Sequence, residues 1–123
     1  MATQEIKSTN WKAFCDKFLE LHRGALMTVT KIEPSGNKVQ VLRDMPLTKV
    51  WMESDGCNDK IFLRFEQDGR REITHEIFEP IHVKLREESG GQKGLQFDAE
   101  NGSVLVLFRS GHTDDLLRLV GEG

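Results

Sequence analysis

Little in this chain announces a chemistry. It has two cysteines in 123 residues, with no CxxC pair and no ligand-like spacing, so it offers neither a disulfide framework nor a zinc site of the usual pattern. Basic residues do not cluster: the densest run is Arg70-Arg71, and 17 Lys and Arg stand against 20 Asp and Glu. Nucleic-acid affinity rests largely on clustered cations that displace counterions, so no nucleic-acid partner is expected. No stretch approaches the ~18 consecutive apolar residues of a membrane span, and the N-terminal MATQEIKSTN lacks the charged-then-apolar pattern of a signal peptide. A cytoplasmic location without a membrane partner is therefore expected.

Catalytic signatures are missing as well. There is no HExxH, no GxSxG elbow, no phosphate loop and no dinucleotide fingerprint. The run from Gly90-Gly91 to Gly94 reads as a turn, because no helix follows it to bind a phosphate. No cofactor and no metal are expected. There is no repeat and no low-complexity segment, and the length suits a single domain over residues 1–123.

What is present is a soluble globular composition, 37% hydrophobic and 30% charged. Trp11, Phe14, Cys15, Phe18 and Leu21 recur at helical spacing, with Ser8, Thr9 and Asn10 as candidate N-caps and Gly24 placed for a left-handed C-terminal cap. A helix over 10–23 follows. Burying each of its large side chains is worth about 1.5–3 kcal/mol, more than so short a helix gains from propensity, so it must dock on something.

That partner is a sheet. After Gly24 the chain reads as short extended runs divided by turn residues: ALMTVTKIE, KVQVLRD, LTKVWME, KIFLRFE, REITHEI, IHVKLRE, LQFDA and SVLVLFR. Connections this short make neighbours antiparallel. SVLVLFR is apolar on both faces and belongs centrally, its second side covered by the helix or the folded-over sheet. A bulge or sharp bend is expected at Arg43-Asp44-Met45-Pro46, and TDDLLRLVGEG suits a short helix capped by Thr113. The fold class is α+β: an N-terminal helix packed on a curved, mainly antiparallel meander sheet of about eight strands, as a half-open barrel or a two-layer roll.

The stretch ITHEIFEPIHV, residues 73–83, gathers two histidines and two glutamates. Strand alternation puts His75 on a face with Ile73 and Ile77, and His82 with Lys84 and Arg86 on a polar face. The two histidines then point to opposite sides and cannot share a metal. A three-residue connection, Phe78-Glu79-Pro80, predicts a hairpin with Glu76 opposite His82, Thr74 opposite Lys84 and Glu72 opposite Arg86. His75 is expected to be a packed core histidine, with a pocket base as the functional alternative.

Other polar groups read as structural. His22 in the last helical turn and His112 in an exit loop are expected to be solvated or capping groups. Cys57 reads as a loop thiol in preference to a nucleophile or redox sensor. Trp51 falls on the strand face of Leu47 and Lys49, opposite Val50 and Met52 and so on the less buried side, where it is covered by the helix or else marks a partner surface. Arg109, ending the most apolar strand, suits a structural anchor.

Trp11-x-x-Phe14, His22-Arg23-Gly24, Arg43-Asp44-Met45-Pro46-Leu47, Thr74-His75, Pro80, Val83 and Leu107-Phe108-Arg109-Ser110 together resemble an uncharacterised bacterial family catalogued only as a domain of unknown function. The resemblance covers most of the chain and implies a bacterial, intracellular origin. It carries no activity, ligand or catalytic residue. The function expected from the residues is a small non-catalytic binding or protein-interaction module, with a homodimer through a sheet edge or the Trp51 face as one form of it. The competing reading is a small enzyme using His75 as general acid or base in a sheet pocket.

Overall fold

The structure, a computed structural model, describes residues 3–54, 56, 58–67, 71–87 and 92–109. A short strand β1 (Thr3–Ile6) leads through a 3-10 turn into helix α1 (Trp11–His22). Strands β2 (Leu26–Ile32), β3 (Lys38–Ser54), β4 (Asp59–Gln67), β5 (Arg71–Phe78), β6 (His82–Glu87), β7 (Gln92–Ala99) and β8 (Gly102–Arg109) follow.

Helix α1 forms where the apolar spacing demands it and buries Trp11, Phe14, Cys15 and Phe18. Asn10 occupies the N-cap position without a side-chain cap bond; its own N–H instead donates to the Lys7 carbonyl, 2.8 Å away. Gly24 at φ +86° reverses the chain in the left-handed region. Its N–H then donates to the Leu47 carbonyl at 2.7 Å, and the Leu47 N–H donates to Ala25 at 3.0 Å, tying the helix exit to β3.

The eight strands form one antiparallel sheet in the order β1-β6-β7-β8-β2-β3-β4-β5, not closed into a barrel. Two meanders, β2 to β5 and β6 to β8, join where β8 pairs with β2, so the apolar strand β8 is central as expected. Val83, Leu85, Leu95, Phe97, Val106 and Phe108 from one meander meet Leu47, Ile61, Leu63 and Phe65 from the other, with α1 completing the core. Phe18 is fully buried and meets Phe108 edge-on at 5.1 Å between ring centroids. Leu105 and Leu107 stay half-buried on the outer face of β8, away from the helix.

One strand serves both halves. The first part of β3 pairs with β2 and the second with β4. Between them lies the bulge expected near Met45-Pro46: Met27 faces Met45 but Val29 faces Leu42, and Asp44 sits at φ +50°. A second shift, where Leu47 faces Phe65 but Lys49 faces Arg64, leaves Thr48 extra. Leu47 and Val50, three residues apart, are consequently both buried.

The predicted hairpin does not form. Strand β5 pairs with β4 at one end of the sheet order, and β6 pairs with β1 and β7 at the other. Glu79, at φ +49°, donates its N–H to the Asp59 carbonyl at 2.8 Å, and Ile81 donates to Asp98 at 2.6 Å. Phe78-Glu79-Pro80 therefore carries the chain from one end of the sheet to the other. Two further differences accompany this: the polar lead-in contains β1, and the two runs read as KVQVLRD and LTKVWME are one strand. The C-terminal helix expected over TDDLLRLVGEG lies outside the described residues.

Candidate functional site: the His75 cleft

Alternation along β5 turns Ile73, His75 and Ile77 inward and Glu72, Thr74 and Glu76 outward, as the two-residue period requires. The outward set is held by β4: Arg64 Nε donates to Thr74 Oγ1 at 3.3 Å and lies 3.6 Å from Glu72 Oε1. His75 sits opposite the fully buried Leu63. It is half-buried, and its ring hydrogen-bonds to no described residue. Burial, and secondarily the charge of Lys31, lower its pKa below 6.5. At neutral pH the ring is uncharged and presents one N–H donor and one bare nitrogen.

The ring faces a cleft of about 160 Å³ between β5 and the turn joining β7 to β8. Ile77, Phe97, Ala99 and Val104 supply its apolar wall, and Lys31, Asn101 and Ser103 supply polar groups. Lys31 follows Val29 on the inward face of β2 but lies past the core, opposite Val104, exposed and without an ion pair to a described residue. The turn depends on Gly102, at φ +123°, where a Cβ would collide with the Ile32 carbonyl oxygen. Glu76 also borders the cleft, but its strand position faces outward, opposite Phe62.

Ser103 is already committed. Its hydroxyl donates to Asp98 Oδ1 at 2.7 Å, as does Gln96 Nε2, while Lys84 Nζ lies 3.0 Å from Oδ2. Burial disfavours the Asp98 charge, yet these bonds outweigh it and hold the carboxyl below its ordinary value. Arg86 extends the network by donating to Gln96 Oε1 at 2.9 Å. The network ties β6, β7 and β8 together on the outer face and leaves His75 and Lys31 without a partner among the described residues.

The remaining sequence candidates fall elsewhere. His82 pairs with Glu5 at 2.8 Å, not with Glu76, and Lys84 and Arg86 likewise have partners on β7 instead of Thr74 and Glu72. His22 is not solvated: it is 3% exposed, its Nδ1–H donates to the Phe18 carbonyl at 3.0 Å, and its ring packs on Phe18 and Phe108. Trp51 is not covered by the helix, because the Thr48 bulge turns it outward to stack on Phe62, with Lys49 4.7 Å and Arg64 5.1 Å from its ring centre. Cys15 is buried and free, and burial pushes its thiol up to about 12. Arg109 ends β8 at the rim of a second, 320 Å³ cleft that also includes Asp44. Cys57 and His112 lie outside the described residues. Among those described, no cluster of three potential metal ligands occurs and no helix is long and apolar enough to cross a membrane.

Lys31, Asn101 and Ser103 were not singled out by sequence reasoning. The available signal was a lysine two residues beyond Val29 on an apolar strand face. Searches of family models, curated proteins and solved structures returned no match to this chain.

Proposed function

We propose that this protein is a non-catalytic binding module whose ligand site is the His75 cleft. The observation carrying this reading is the uncommitted imidazole of His75, aimed into an open cleft that has one apolar wall. Small-ligand sites combine an apolar lining with a few convergent polar groups. A general base would ordinarily be oriented by a hydrogen-bonded partner, and no described residue supplies one here. The nearby hydroxyl, Ser103, is donated to Asp98.

A screen of small molecules against the full-length chain by ¹H–¹⁵N spectroscopy tests this reading. It expects shifts confined to amides around His75, Ala99 and Val104 for some fragments. Shifts confined to other surfaces would overturn it. Turnover of any substrate lost specifically in His75→Gln would favour the enzyme reading.

A second reading rests on the sheet edge. Strand β5 ends the sheet order, so one side of its backbone lacks a partner strand among the described residues, and such edges pair readily with another copy. Sedimentation of the intact chain would reveal that dimer. The Trp51 face is less suited to dimerisation because Phe62, Lys49 and Arg64 already engage the ring. Cytoplasmic residence in a bacterium accords with the cysteine pattern and the family resemblance.

A further inference from the structure

Two of the cleft's polar groups that have no partner among the described residues differ in kind. His75 offers an N–H from a half-buried ring, and Lys31 beside it offers an ammonium with no ion pair among the described residues. The wall behind them, Ile77, Phe97, Ala99 and Val104, is apolar. At 160 Å³ the space is below the ~300–1,000 Å³ typical of drug-sized ligands, so its occupant is small.

We infer that the ligand is a small monocarboxylate with an apolar body, its carboxylate placed between His75 and Lys31 and its body against Phe97 and Val104. This rests on the reading of the cleft as a binding site. A carboxylate only accepts hydrogen bonds, matching two groups that donate, and charge-assisted bonds are roughly twice as strong as neutral ones. A neutral ligand would desolvate the Lys31 ammonium without compensating its charge. A cationic ligand would meet Lys31 at close range and find only Glu76, which faces the outer side. The cleft presents a single ammonium, Lys31, which matches one carboxylate.

Benzoate, benzamide and benzylamine share an aromatic ring and differ in charge, so their titration into the full-length protein, followed by ¹H–¹⁵N spectra, tests the ligand class. Benzoate is expected to bind with a Kd on the order of 1 mM and about tenfold more tightly than the other two. Lys31→Gln, at an exposed position whose loss leaves the core intact, should weaken benzoate about tenfold and leave benzamide unchanged. Benzamide binding as well as benzoate, benzylamine binding better, or an unaltered benzoate affinity in Lys31→Gln would each overturn the carboxylate assignment. If benzoate fails while other fragments still reach the cleft, the assignment falls and the binding reading stands. If no fragment reaches it, both fall.

Discussion

Trp51 and Phe62 stand directly opposite each other on β3 and β4 and stack on the outer face of the sheet, with centroids 4.8 Å apart and ring planes within 10°. Trp51 Nε1 also donates to Glu53 at 2.8 Å. This cluster fixes the register of the strands beyond the Thr48 bulge, which aims Ile61, Leu63 and Phe65 into the core. In a double-mutant cycle of Trp51→Ala and Phe62→Ala, read by chemical denaturation, a coupling of about 0.5–1.5 kcal/mol is expected. Strict additivity would show that the stack does not hold the register.

Asp44 occupies the left-handed region at φ +50°, with its N–H donated to Thr28 Oγ1 at 3.2 Å. Aspartate tolerates this conformation better than most residues, and a β-branched one does not. Asp44→Val is expected to lower stability by about 1–3 kcal/mol, and Asp44→Gly to be close to neutral. Denaturant melts of the two variants compare them directly.

Phe18 is fully buried and touches Phe14, His22 and Phe108. Phe18→Ala should cost about 3–5 kcal/mol through lost burial and the cavity left behind. A loss under about 1 kcal/mol would mean that α1 does not dock on the sheet as described.

The separation of β5 from β6 has its own signature. Cross-strand proton contacts are expected between His75 and Leu63 and between Val83 and Phe97, which are paired in the sheet. None is expected between Glu76 and His82. Contacts across that pair in a nuclear Overhauser spectrum would restore the hairpin and remove the cleft.

Local features were legible in the residues, and long-range pairing was not. The helix, the bulge at Asp44, the central place of β8 and the inward face of His75 all follow from spacing, which acts over a few residues. The partners of β5 and β6 do not, because Glu76 with His82, Thr74 with Lys84 and Glu72 with Arg86 are as complementary on paper as the observed Glu5 with His82 and Lys84 with Asp98. Each such pair is worth only about 0.2–1 kcal/mol and cannot decide topology against core burial. Trp51 lies on the less buried side, opposite Val50, as expected; its separation from the face of the buried Leu47 was not legible, because one extra residue at Thr48 inverts alternation and a bulge of that kind has no fixed composition. His22 was misplaced because its helical position suits a capping cation as well as a core ring. Of the site, His75 was legible, whereas Lys31, Asn101 and Ser103, neighbours through the pairing of β2 with β8, meet it only where β5 lies over the turn between β7 and β8.

The pH response of His75 tests the central claim, that its ring is half-buried, uncommitted and open to a ligand. Its folded-state pKa lies below the unfolded value near 6.5, so the unfolded chain takes up the proton first as pH falls. The stability contributed by the neutral ring is therefore full above 6.5, declines as pH falls from there through the folded value, and is absent in His75→Gln. Titration of the His75 ring resonances with and without benzoate is the most direct measurement. A midpoint below 6.5 in the free protein that moves upward when benzoate binds is the predicted result. A midpoint at or above 6.5 in the free protein, or one unmoved by bound benzoate, would show that the ring is not half-buried and open to this ligand.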